Sequence, residues 1–122
     1  TRRGEISIHR LGDGQSENSR HAIVKIEILD EAQEDLIQGF HFYEGREAGL
    51  GSYYVDCLFS DIDSLLLYAG IHQVTYAYHR CLSKRFPFAI YYSLERELIR
   101  VHAVLDCRRN PSWIRKRLKE GG

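Results

Sequence analysis

The fold is decided by residues 88–105, which read FAIYYSL (88–94), EREL (95–98) and IRVHAVL (99–105). All of residues 88–94 except Ser93 are apolar or aromatic, which predicts a strand that is buried on both of its faces. Residues 99–105 instead alternate between apolar and polar side chains, and this period of two indicates a strand with one buried face. Because residues 95–97 are polar and leave room only for a tight turn, we expect the two strands to pair antiparallel.

Apolar residues upstream of this region recur with a helical period and predict two helices. Asp30 and Gln33 predict a capping box at the start of the first helix. The second helix is expected over residues 52–69, with Asp61 on its polar side and Gly70 as its stop signal. The two apolar stripes are Ala32, Leu36, Phe40 and Tyr43, and Tyr54, Leu58, Ile62 and Leu65.

Alternation with a period of two is also present at residues 23–29 and 75–82, which are predicted as two further strands. Residues 110–112 (NPS) should start a short helix over residues 113–119. The order is therefore β-α-α-β-β-β plus a short C-terminal helix, which is an α+β fold. We expect an antiparallel sheet of three to four strands, with the first strand at its edge and the N-terminal helical hairpin packed on one face.

The composition is that of an ordinary globular protein, and we expect the protein to be cytoplasmic. One domain is expected over residues 23–118, preceded by an extension, residues 1–22, that forms an edge strand or is flexible. No run approaches the roughly 18 apolar residues of a membrane helix, so we expect no membrane partner. The three cysteines, Cys57, Cys81 and Cys107, show no paired spacing, which favours reduced thiols.

The net charge of zero conceals an asymmetry between the two halves of the chain. Residues 1–70 contain 6 Lys and Arg against 13 Asp and Glu, a net charge of −7. Residues 71–122 contain 11 against 4, a net charge of +7. Either the C-terminal half meets an anionic partner, or the acidic and basic surfaces lie against each other or are solvated.

Four segments together resemble the RelE/ParE toxin superfamily, and most of all its ParE-like, plasmid-stabilisation branch. They are ILDEAQEDL (28–36), KRFPFAIYY (84–92), IRVHAVL (99–105) and RRNPSW (108–113). The resemblance implies the toxin of a type II toxin–antitoxin system, which is neutralised by a cognate antitoxin and inhibits growth through DNA gyrase or by cutting mRNA on the ribosome. The antitoxin is expected to wrap the toxin, with an acidic amphipathic helix near the positively charged half.

Three positions depart from the pattern of the ribosome-dependent nucleases in this family. That branch commonly has an arginine where this chain has Ala89, a histidine where it has Asp106, and a tyrosine where the nearest aromatic residue is Trp113. Tryptophan cannot transfer a proton, so it cannot replace the tyrosine as an acid. The catalytic candidates that remain are His79, His102 and Arg108.

Binding to a target needs only a basic surface with an apolar anchor. The candidates for this role are Arg80, Lys84, Arg85, Arg108, Arg109 and Trp113. We therefore expect binding to DNA gyrase rather than enzymatic activity, with an endoribonuclease and a non-toxic relative that binds only an antitoxin as the alternatives.

No metal or cofactor is expected. His79, Cys81, His102 and Cys107 have ligand-type side chains but lack the spacing of a zinc site. A nucleophilic pair of Cys107 and His102 lacks a recognisable oxyanion site. The tyrosines of the strand region either stack on bases or pack, and strand propensity favours packing. These tyrosines are Tyr76, Tyr78, Tyr91 and Tyr92.

Overall fold

The computed structural model describes residues 5–6 and 24–121, which form six strands and four helices. The strands are β1 (Glu5–Ile6), β2 (Lys25–Ile28), β3 (Val74–Thr75), β4 (Tyr78–Leu82), β5 (Phe88–Glu95) and β6 (Leu98–Asp106). The helices are α1 (Asp30–Arg46), α2 (Leu50–Asp63), α3 (Leu65–Tyr68) and α4 (Pro111–Gly121). Within the described ranges, none of these helices has the length and apolar character that a bilayer span requires.

The strands form one mixed sheet in the order β1-β2-β6-β5-β4-β3. The antiparallel meander of β4, β5 and β6 is confirmed. The expectation of a wholly antiparallel sheet with the first strand of the domain at its edge is wrong. Strand β2 runs parallel to β6, from Lys25 beside Leu98 to Ile28 beside Val101, and lies between β6 and β1. A parallel pair needs a long crossover connection, and the two long helices with the returning strands supply it.

The strand predicted over residues 75–82 is in fact two strands, β3 and β4, and with β1 at the opposite edge the sheet has six strands instead of three to four. A two-residue turn at Tyr76 and Ala77 joins them, and both turn residues have positive φ, 53° and 74°. Such turns match the twist of a hairpin and usually contain glycine or asparagine. Because neither is present here, the alternating pattern continues through the turn without a visible break.

Helix α1 begins without the predicted capping box. Leu29 occupies the N-cap position with no side-chain cap, and Asp30 lies in the first turn, where its charge is favourable next to the helix dipole. The Gln33 side-chain amide instead donates to the carbonyl oxygen of Ile28 at 3.1 Å. Gln33 thus stabilises the passage from β2 into α1 rather than the cap.

The predicted helical hairpin is confirmed, although its second helix is interrupted. Helix α2 ends at Asp63 and the single turn α3 follows Ser64. Gly70, with φ of 99°, ends this region as predicted. Helices α1 and α2 approach closely at Gly51, where a Cβ would lie 2.6 Å from the carbonyl oxygen of Phe40.

The two faces of the sheet carry separate apolar clusters. The hairpin face, covered by α1 and α2, holds the larger cluster, whose buried members include Ile26, Ile28, Leu36, Tyr54, Leu58, Ile62, Ile90, Tyr92 and Val101. The α4 face holds a smaller cluster of Ala89, Tyr91, Ala103 and Leu105 with Ile114 and Leu118 of α4. The C-terminal helix was predicted from its start signal, and it packs on the face opposite the hairpin.

Strand β6 contains one more residue than the segment of β5 that it pairs with. Tyr91 pairs with Ala103 and Tyr92 with Val101, so His102 is the additional residue of a β-bulge. A bulge bends its strand and changes the direction of neighbouring side chains.

Beyond Val101, where its pairing with β2 ends, the outer edge of β6 lies against α1. The Asp35 carboxylate accepts a hydrogen bond from the Val104 N–H at 2.9 Å and another from the Arg117 guanidinium at 2.9 Å. Burial raises the pKa of Asp35, and these two hydrogen bonds oppose that shift. One carboxylate therefore connects α1, β6 and α4.

Candidate functional site

Four of the predicted target-binding residues lie together at one end of the sheet. Strands β4 and β6 are both antiparallel to β5, so the β4–β5 loop lies beside the turn that follows β6. The Cys107 N–H donates to the Pro87 carbonyl oxygen at 2.8 Å and joins the two segments. We name this surface the basic end. Its residues, all exposed, are Lys84, Arg85, Arg108 and Arg109.

A buried acid of α2 positions the β4–β5 loop. Asp61 is only 5% exposed, and its carboxylate accepts from the Ser83 hydroxyl at 2.7 Å and from the Lys84 N–H at 3.3 Å. The helical pattern had placed Asp61 on the polar side of its helix, so this role was missed. The sequence signal that could have found it is weak, because an acid on a helix surface usually faces water.

Arg108 is paired within its own turn. Its guanidinium donates to both carboxylate oxygens of Asp106, at 2.9 and 2.6 Å, and its N–H donates to Asp106 at 2.8 Å. These hydrogen bonds hold the pKa of Asp106 below its ordinary value. The charge of Arg108 is therefore partly offset, although its side chain remains 61% exposed.

Arg109 lies over an aromatic ring. The central carbon of its guanidinium is 3.8 Å from the centre of the Trp113 ring, which is a cation–π contact. Trp113 stands in the first turn of α4, which Asn110 caps by accepting from the Ser112 N–H at 2.8 Å. Arg109 and Trp113 thus form a single exposed unit at the basic end.

Arg80 lies on the α4 face, and its side chain is directed along the sheet. Its Nε donates to the Tyr91 hydroxyl at 3.2 Å, and an Nη lies 3.6 Å from the Cys107 sulfur. The hydrogen bond to Tyr91 raises the pKa of Arg80. The structure thus separates Arg80, which is half-buried, from the exposed cations with which the sequence grouped it.

The catalytic candidates do not converge. His79 lies on the hairpin side of the sheet, where its ring stacks on Tyr92 with centres 5.0 Å apart and its Nδ1 lies 3.0 Å from the carbonyl oxygen of His72. His102 lies on the α4 face, and Arg108 is paired with Asp106 in the turn beyond β6. No single reacting atom can contact the two histidines, because the sheet separates them.

A hydroxyl and an imidazole form a pair on the α4 face that the sequence did not indicate. His102 Nε2 lies 2.9 Å from the Ser93 hydroxyl, and its ring packs beside Tyr78 with centres 4.5 Å apart. Burial lowers the pKa of His102, and the charge of Arg100 lowers it further. The imidazole is therefore neutral at physiological pH, a state in which one ring nitrogen can accept a proton. The bulge at His102 is what sets this geometry.

The four possible metal ligands lie on both sides of the sheet. His79 and Cys81 face the hairpin, whereas His102 and Cys107 belong to the α4 face, and the described part of the chain contains no cluster of metal-ligating groups.

The tyrosines of the strand region do not form a shared surface on which bases could stack. Tyr91 and Tyr92 are buried on opposite faces, and Tyr76 lies in the β3–β4 turn.

A pocket of about 310 Å³ opens beside the basic end. It lies between α1, the first residue of β5, the last residues of β6 and the start of α4. Its apolar lining comes from Gly39, Phe42, Phe88, Val104, Leu105 and Trp113. Its polar lining comes from Asp35, Gln38, Asp106 and Arg109. Sequence analysis did not indicate this pocket, because its walls come from three segments that are distant in sequence, residues 35–42, 88 and 104–113.

The sequence matches neither a protein-family model nor a curated protein. A solved structure does match, a chain of the chromosomal ParDE TA system from P. aeruginosa. The two chains agree with a TM-score of 0.60 at 13% sequence identity, over 66% of this chain and 92% of that chain. The two proteins therefore share a fold, and the ParE-like fold that the four sequence segments implied is supported.

Proposed function

We propose that this chain is the toxin of a type II toxin–antitoxin pair, that a cognate antitoxin neutralises it, and that it stops growth by binding an essential nucleic-acid machine. DNA gyrase is the favoured target. The observation that carries the proposal is the fold shared with a chain of the P. aeruginosa ParDE TA system. The resemblance of segments 28–36, 84–92, 99–105 and 108–113 to that family supports it independently.

The basic end supports a binding mechanism. Its four cations are exposed on two adjacent loops, and Trp113 beside them is 37% exposed. Exposed cations steer association with an anionic partner, and a partly exposed tryptophan is well suited to anchor an interface. The four cations and Trp113 are the surface through which the target is bound.

The position of Ala89 argues against the nuclease mechanism. Ala89 is fully buried beneath α4, within the cluster of the α4 face. The ribosome-dependent branch commonly has an arginine here, and a side chain at this position in this chain would have to displace α4 to reach a phosphate. Charge stabilisation at the reacting phosphate would then need another residue.

Ribosome-dependent mRNA cleavage is the second candidate function, because of the pair formed by Ser93 and His102. A neutral imidazole in contact with a hydroxyl is suited to general-base catalysis, which activation of a ribose 2′-hydroxyl requires. Substitution His102→Ala would remove activity under this mechanism and leave gyrase inhibition unchanged.

The test is induction of the chain in cells, followed by measurement of DNA synthesis and translation. We expect DNA synthesis to stop first, purified protein to block supercoiling by gyrase, and mRNA on ribosomes to stay intact. The double variant Arg108→Ala/Arg109→Ala should be folded and harmless, because exposed basic side chains contribute under about 1 kcal/mol to stability. The matched control is Arg115→Ala/Lys116→Ala, two exposed cations of α4 outside the basic end, which should remain toxic.

Three outcomes separate the alternatives. Cleavage of mRNA by the wild type would replace gyrase with the ribosome as the target. A wild-type chain that is harmless yet binds its antitoxin would be the non-toxic relative. Toxicity that persists in the Arg108/Arg109 variant would show that the basic end is not the binding surface.

A further inference from the structure

We propose that the pocket beside the basic end seats a large apolar side chain from an acidic peptide segment. That the segment belongs to an antitoxin rests on the proposed function, whereas the chemistry of the segment follows from the pocket itself. The pocket lies where α1, the ends of β5 and β6, and the start of α4 meet, so an occupant would contact all the layers of the domain at once.

The pocket is large enough to seat one large side chain. Its volume of about 310 Å³ is at the lower limit of pockets that hold drug-sized ligands. The floor is apolar, formed by the buried residues Phe88, Val104 and Leu105. An aromatic or long aliphatic side chain would fit within this volume and bury apolar surface, which is the usual role of an interface anchor.

The charges around the pocket select an acidic segment. Both carboxylates that line it are already paired, Asp35 with Arg117 at 2.9 Å and Asp106 with Arg108 at 2.6 Å. Arg109 lies instead over the Trp113 ring, and Arg46 lies over the ring of Phe42 at 5.1 Å. Among the residues that the structure describes, these two arginines form no ion pair with an acid. Acidic residues on either side of the anchor could pair with them without displacing an existing partner.

The aromatic rim gives the pocket exposed contact area. Phe42 is 51% exposed and Trp113 is 37% exposed, and each carries an arginine on its face. Aromatic side chains at a pocket rim add contact area at low cost in conformational entropy. Covering them would bury apolar surface that now faces water, which favours binding.

Fluorescence of Trp113 provides a direct test, because it is the only tryptophan of the chain. The probe is a short synthetic peptide of Glu, Asp, Ser and Ala with one central Phe. Two comparison peptides replace the Phe by Ala, or all the acids by Lys. We expect a saturable change in Trp113 emission with the acidic Phe peptide, and binding about tenfold weaker or more with either comparison peptide.

Matched variants locate the binding site. Phe42→Ala should weaken binding about tenfold, whereas Tyr68→Ala, at a tyrosine that is 52% exposed and remote from the pocket, should leave it unchanged. Arg109→Glu should abolish binding, and Arg115→Glu, on the exposed side of α4, should retain most of it. Circular dichroism would establish that all four variants are folded.

The proposal is overturned if the acidic Phe peptide produces no saturable change, or if the Ala peptide binds equally well. Calorimetry that detects binding without a change in Trp113 emission would also overturn it, because the peptide would then bind elsewhere. Failure here is distinguishable from failure of the proposed function. A toxic chain whose antitoxin complex is unaffected by Phe42→Ala and Arg109→Glu would keep its function without this pocket. A harmless chain that binds the peptide would support the pocket proposal and contradict the proposed toxin function.

Discussion

The hairpin face and the α4 face belong to the same sheet but are built differently. The hairpin face buries large apolar side chains from both helices and from four strands, including Tyr54 and Leu58, which are fully buried. The α4 face buries only six residues in its cluster and leaves polar groups such as Ser93 and His102 half-buried beside it. The packing that stabilises the fold therefore lies mainly on the hairpin face. Polar and charged groups are found instead on the α4 face and at the basic end.

Two leucine substitutions test this difference directly. Leu58→Ala, at a fully buried position on the hairpin face, should destabilise the fold by about 3–4 kcal/mol, because the surrounding helices and strands cannot collapse into the cavity. Leu118→Ala, 3% exposed on α4, should cost about 2 kcal/mol, because a small cluster near the end of a short helix can relax. The measurement is urea unfolding of both variants. Equal losses would show that α4 is as firmly part of the core as the hairpin.

Asp35 connects the two faces, and its replacement should have the next largest effect. Asp35→Ala leaves the Val104 N–H and the Arg117 guanidinium without their acceptor, at a cost of roughly 2–3 kcal/mol. Asp35→Asn keeps an oxygen for Val104 and should cost roughly 1 kcal/mol. Urea unfolding again provides the measurement. A loss from Asp35→Asn as large as that from Asp35→Ala would mean that the charge, and not the acceptor at the β6 edge, is what matters.

The smallest expected effect is on the pH dependence of stability, when His102 or His72 is replaced. Burial lowers the pKa of His102 on the α4 face and of His72 on the hairpin side. The unfolded chain therefore binds a proton more readily than the folded chain, and stability falls as the pH decreases through about 6.5.

His102→Asn should therefore lose less stability than the wild type on acidification. His72→Asn should show the same sign, and comparison of the two variants assigns the effect to one face or the other. The measurement is the unfolding midpoint in urea at pH values between about 7.5 and 5.5, a window around the unfolded pKa of histidine. A curve for His102→Asn that runs parallel to that of the wild type would contradict this assignment.

The elements of the fold that depend on local sequence could be predicted, and those that depend on distant contacts could not. Period and end signals predicted the strands at 88–94 and 99–105, both long helices and the start of α4 after Asn110. The parallel pairing of β2 with β6 did not, because alternation indicates which face a strand buries but not which strand lies beside it. The turn at Tyr76 was hidden because it lacks the residues that usually mark such turns.

The candidate functional site also has a part that local sequence predicts and a part that depends on distant contacts. The basic end was predictable, because short connections between adjacent strands bring the loops at 83–87 and 107–110 together. The pairing of Arg108 with Asp106, the stacking of Arg109 on Trp113 and the separate position of Arg80 depend on side-chain directions that periodicity does not define. The contact between Ser93 and His102 required a β-bulge, which shifts the register by one residue and cannot be read from alternation.

The parallel pairing of β2 with β6 also determines when the fold can be completed during synthesis of the chain. The ion pair between Glu27 and Arg100 across these strands joins residues 73 positions apart, and the link from Arg117 to Asp35 joins residues 82 positions apart. Contacts this distant in sequence form late and slowly, since a long loop must close before they are made. A nascent chain that has emerged only as far as α3 exposes the apolar stripes of its hairpin with no sheet beneath them. The complete surface at the basic end exists only once translation has passed β6, so a chain that stops earlier lacks this surface and leaves its apolar hairpin open to proteolysis.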